Sequence, residues 1–62
     1  MKVKVQYTYE IENEDLAALT RYNGQKLTRD VLRQLLTDLG IEGVAEQINQ
    51  GRTWMQHEVE AS

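Results

Sequence analysis

Lys2-Val3-Lys4-Val5-Gln6-Tyr7-Thr8-Tyr9-Glu10-Ile11 is the stretch on which the fold turns. Polar and apolar residues alternate along it without an error. Val3, Val5, Tyr7, Tyr9 and Ile11 share one face, and Lys2, Lys4, Gln6, Thr8 and Glu10 share the other. A period of two predicts a half-buried β-strand, and the β-branched and aromatic residues agree with it. Read as one strand, it would be about 30 Å long. Nothing directly after it reads as a second strand. An unpaired strand leaves a row of backbone N–H and C=O groups without partners. The expected partner is therefore the C-terminal part of the same chain or the same strand of a second copy.

The rest of the chain predicts helices. Asn13 reads as an N-cap, with Glu14 and Asp15 in the first turn where the helix dipole favours carboxylates. Leu16, Ala17, Leu19 and Tyr22 give a short apolar stripe, which Asn23-Gly24 ends. Thr28 opens a second helix. In it Val31, Leu32, Leu35, Leu36 and Leu39 recur at helical spacing until Gly40. Ile41, Val44, Ala45 and Ile48 predict a third short helix that stops at Gly51. Met55, His57 and Val59 share a strand phase, so residues 53–60 are expected to form either a strand against the first or a tail. The fold class is α+β: one long N-terminal strand, two or three short helices, and a possible C-terminal strand.

Sixty-two residues make one domain, spanning 1–62, and a chain of this size buries only about 60% of its unfolded surface. It has no cysteine and one histidine, His57. Disulfides, thiolate metal sites and multi-histidine sites are thereby excluded as supports. A homodimer would enlarge the core and supply the strand partner. No apolar run approaches the roughly 18 residues of a membrane span, and the charged, alternating N-terminus is unlike a signal peptide. The expected setting is cytoplasmic, with no membrane partner.

Catalytic chemistry finds little material. The one serine is Ser62, and no threonine has a His/Asp setting. Gly40, Gly43 and Gly51 lack the Gly-Lys-Ser/Thr of a phosphate loop. The chain reads as a non-enzymatic protein without cofactor, metal or small-molecule substrate.

Binding is the remaining class. The net charge of −3 opposes general attraction to nucleic acid, but Arg21, Lys26, Arg29 and Arg33 form a basic middle, interrupted by Asp30. If Val5, Tyr7 and Tyr9 face inward, Lys4, Gln6 and Thr8 face out, and all three side-chain types can contact base edges from a two-stranded ribbon in the major groove. The order of strand Lys2 to Ile11, helix, turn Asn23-Gly24, then Thr28-Arg29-Asp30-Val31-Leu32-Arg33-Gln34-Leu35-Leu36 resembles the ribbon-helix-helix family of dimeric repressors. The resemblance covers about residues 2–39. It implies an intersubunit β-ribbon that reads DNA through Lys4, Gln6 and Thr8, with Thr28 and Arg29 toward phosphate, and thus a transcriptional regulator. Leu36-Thr37-Asp38-Leu39-Gly40-Ile41 followed by Val44, Ala45 and Ile48 also looks somewhat like a helix-turn-helix, although Glu42 and Glu46 would then face phosphates. The alternative is a small inhibitor or adaptor, of the kind phages and plasmids encode. It would engage a protein through the strand edge, the acidic residues Glu12 and Glu14, or Trp54.

Overall fold

The computed structural model describes residues 1–61. In chain order they form β1 (Lys2–Lys4), β2 (Thr8–Glu10), α1 (Asn13–Asn23) and α2 (Arg29–Ala61).

The alternating stretch is a hairpin, not one long strand. It reverses around Gln6 and pairs antiparallel, with Lys2 opposite Glu10, Val3 opposite Tyr9 and Lys4 opposite Thr8. The Met1 ammonium nitrogen donates to the Ile11 carbonyl at 2.8 Å, and the Ile11 N–H returns a bond of 2.9 Å to the Met1 carbonyl. At the tip the Val5 N–H donates to the Tyr7 carbonyl. The strand's partner is thus the second half of the same stretch, neither the C-terminus nor another molecule. The expected faces survive this correction along the paired strands, because the register pairs odd residues with odd and even with even; Tyr7 at the tip is the exception, exposed where an inward position was expected. Val3 and Ile11 are buried, while Lys2, Lys4, Gln6, Thr8 and Glu10 are all exposed.

In α1 the capping position is Glu12, whose side chain makes no cap bond; the expected N-cap, Asn13, is the first helical residue. Glu14 and Asp15 occupy the first turn. Gly24 closes the helix in the left-handed conformation (φ 70°), its N–H donating to the Thr20 carbonyl. Thr28 caps α2 as the sequence predicts, its hydroxyl accepting the Val31 N–H at 3.2 Å.

Two features of α2 depart from expectation. Gly40 has φ 75° and ψ 177°, so it kinks the helix instead of ending it. Gly51 does not end it either, and the helix runs on to Ala61 where a separate short helix and then a C-terminal strand or tail were expected. Val44, Ile48, Gly51 and Met55 explain the continuation, since they fall at i, i+4, i+7 and i+11 on one face. Val44, Ile48 and Gly51 are buried and Met55 packs against the core.

The core forms where the inner hairpin face and α1 meet α2. It joins Val3 and Ile11 to Ala18 and Leu19 of α1, Leu27 of the connecting loop, and Leu32, Leu36, Val44 and Ile48 of α2. Leu39 and Ile41, which flank the kink, stay about half exposed. The helices cross where Gly51 meets Ala18. A Cβ at Gly51 would lie 1.9 Å from the Ala18 carbonyl oxygen, so only glycine permits this approach. Arg52 pairs with Asp15 and Arg21 with Glu58 across the same crossing. Among the described residues no helix is long and apolar enough to cross a membrane.

Candidate nucleic-acid interface

The hairpin lays β1 along the first half of α2. The Arg33 guanidinium Nε donates to the Lys4 carbonyl at 2.9 Å, and its Nη1 to Asp30 at 2.8 Å. At one end Lys26 and Leu27 border the same hollow as Met1. At the other, the hairpin tip at Gln6 and Tyr7 borders a hollow of about 470 Å³ with Arg33 and Thr37. β1 and the start of α2 therefore run side by side in the same direction. One helical turn rises about 5.4 Å, and two strand residues about 6.6 Å. Arg29, a turn before Arg33, and Lys2, two residues before Lys4, consequently lie toward the same end of the seam.

This arrangement sorts the charge. Lys2, Lys4, Lys26, Arg29 and Arg33, set against Glu10 and Asp30, give the hairpin and residues 24–37 a net +3. The whole chain carries −3, so everything else carries −6. Lys4, Gln6 and Thr8, the expected base-facing residues, come together on the exposed face of the hairpin. Arg29 is exposed at the start of α2, toward the Lys2 end of the seam. Thr28 is exposed as well, but its hydroxyl is engaged in capping. Sequence reasoning placed Arg33 in the basic middle without giving it a role. Its role is to tie α2 to the edge of β1, which no spacing in the sequence signals.

The residues of the alternative reading do not converge. Glu12 and Glu14 stand at the start of α1, and Trp54 packs near its end, about 15 Å away along the helix. Trp54 stacks on Tyr22 with ring centroids 5.2 Å apart and planes 2° from parallel, and the Arg21 guanidinium lies 5.5 Å from its ring centre. Glu58, bonded to Arg21, raises that guanidinium's pKa above its ordinary value. Trp54 is thus built into the crossing of the two helices and remains about one-third exposed. Beside it Tyr22, Leu39, Gly43 and Gln47 border an open groove of about 480 Å³.

His57 is exposed, and among the described residues no group of three His, Asp or Glu is placed to hold a metal ion. The chain matches no family model, no curated protein and no solved structure.

Proposed function

We propose that this chain is a small non-enzymatic DNA-binding protein that docks through its hairpin and regulates transcription. The observation that carries the reading is the sorting of charge: a chain of −3 collects +3 along the hairpin and the start of α2. A two-stranded ribbon is a shape the major groove admits. Here both strands come from one chain, so the reading rests on charge and exposure and not on an intersubunit ribbon. Lys4, Gln6 and Thr8 would meet base edges, and Lys2, Lys26 and Arg29 would meet phosphates. Duplex binding is the test, read by fluorescence anisotropy at 50 mM salt. Affinity should fall with salt at a log–log slope near −3, as expected for about three phosphates neutralised by each hairpin. No binding at about 100 μM protein and low salt, weaker than ordinary non-specific association, would remove the reading.

The groove beside Trp54 favours a second reading, a protein-binding inhibitor or adaptor. Tyr22 and Leu39, which line it, keep apolar surface exposed. That reading gains if DNA affinity is undetectable and Leu39→Glu, which leaves the core untouched, abolishes capture of a protein partner.

A further inference from the structure

The hairpin has two edges, and they are not alike. The hydrogen-bonded pair Met1–Ile11 sets the alternation of the ladder, so Lys2, Lys4, Thr8 and Glu10 occupy the non-bonded positions, with their N–H and C=O groups aimed outward. On β1 that edge is occupied: α2 lies along it, and Arg33 takes the Lys4 carbonyl. On β2 neither helix lies alongside. Thr8 and Glu10 present their backbone groups to solvent, and Tyr9 between them is only partly buried on the inner face.

We infer that the outer edge of β2 is the dimer interface, and that its occupant is β2 of a second copy, paired antiparallel about a two-fold axis at Tyr9. This inference rests on the hairpin alone and stands or falls without DNA; the four-stranded sheet it forms is wider than the two-stranded ribbon that enters the groove, so pairing and groove docking compete for the hairpin. The edge is self-complementary. A two-fold axis at Tyr9 sets Thr8 opposite the second copy's Glu10, and Glu10 opposite its Thr8. The two outward-facing pairs exchange four backbone hydrogen bonds. Charge disfavours the neighbouring register toward Ile11. An axis one pair along would set Glu10 against Glu10, and like charges directly opposite are unfavourable. The chosen register instead gives each carboxylate a threonine hydroxyl across the interface and Lys2 within its own hairpin. The inner face gains a Tyr9–Tyr9 contact at the axis. With the β1 edge occupied, one free edge per chain produces a closed four-stranded dimer, not an open fibre.

Sedimentation of the full chain without DNA tests this. The interface is small, so association should be concentration-dependent between about 10 μM and 1 mM. Thr8→Pro removes one outward N–H and no ladder bond, and should leave the circular dichroism spectrum intact while abolishing the dimer. Tyr9→Cys is the independent arm, since the chain has no other cysteine. Directly opposed non-bonded positions lie about 4.5 Å apart at Cα, within disulfide reach. Tyr9→Cys should therefore cross-link on mild oxidation at least tenfold faster than the exposed control Thr53→Cys. A chain monomeric to 1 mM, a dimer that folded Thr8→Pro retains, or equal cross-linking rates for the two cysteine variants would each overturn the inference.

Discussion

Replacing Gly51 with alanine asks whether α1 and α2 cross as closely as the structure places them. On helix propensity alone the change should stabilise the chain by up to about 1 kcal/mol, because alanine is the best helix former and glycine among the worst. Packing argues the other way. The new Cβ would sit 1.9 Å from the Ala18 carbonyl oxygen and 2.8 Å from its carbonyl carbon, and both atoms are backbone. No rotamer can relieve that. The helices must move apart by about 1.5 Å to reach ordinary contact, and a gap of even 0.5–1 Å forfeits a quarter to a half of the dispersion energy between facing atoms. The neighbours that lose contact include Leu19 and Val44, both fully buried. Overpacking of this kind costs about 1–3 kcal/mol and sometimes more. We expect a net loss of about 2 kcal/mol, a large share of the roughly 3–5 kcal/mol that a core this small supplies. Thermal unfolding followed at the helix band should show a Tm about 8–16 °C lower. Gln50→Ala, one residue away and exposed, should leave Tm unchanged or raise it. A Gly51→Ala protein as stable as its parent would mean that the helices do not cross at this point.

Other changes probe the remaining elements. Leu32→Ala, at a fully buried position, should cost about 2–5 kcal/mol and unfold most of the chain at 37 °C, as read by urea titration. Gly40→Ala meets no atom within 4 Å, so its cost is purely that of forcing a side chain into φ 75°, ψ 177°; about 1–3 kcal/mol is expected, and a gain would mean that α2 runs straight. Burial, chiefly, and then Asp15 and Tyr7 raise the Tyr9 hydroxyl above its ordinary pKa of 10.0. Tyr9 therefore favours the folded state below that pH, and the contribution is lost as pH rises through the folded value. Tyr9→Phe should flatten the alkaline limb of a stability–pH curve, and an unchanged limb would place the tyrosine in solvent. Arg29→Ala should weaken binding to all sequences alike and reduce the salt slope of duplex binding by about 1, whereas Lys4→Ala and Gln6→Ala should relax sequence preference.

Which parts of this fold can be read from the sequence depends on whether the signal is local. Alternation over residues 2–11 assigns the inner and outer hairpin faces correctly except at the tip, where Tyr7 is exposed, because side-chain phase is indifferent to where the chain reverses, provided the register is even. The reversal itself is hidden: Val5-Gln6-Tyr7 contains no Gly, Asn, Asp or Pro, and a turn without those residues has no compositional mark. The glycines divide the same way. Gly24 and Gly40 are recognisable as interruptions of helical geometry, and both have positive φ. Gly51 has ordinary helical backbone and is glycine for the sake of Ala18, thirty-three positions earlier. A glycine that stops a helix and one that admits a neighbour look alike in sequence. They are told apart only by asking whether the apolar period survives passage through the glycine. Here it does, from Val44 and Ile48 to Met55, and that continuity marks residues 53–60 as helical against the competing strand phase of Met55, His57 and Val59. The candidate interface follows the same rule. Lys4, Gln6 and Thr8 are legible together because they are neighbours on one strand face. The seam that joins them to Arg29 is not, because it depends on Arg33 reaching a backbone carbonyl twenty-nine residues away. Charge sorting in a chain with an acidic total is a tertiary property, and net charge read from composition conceals it.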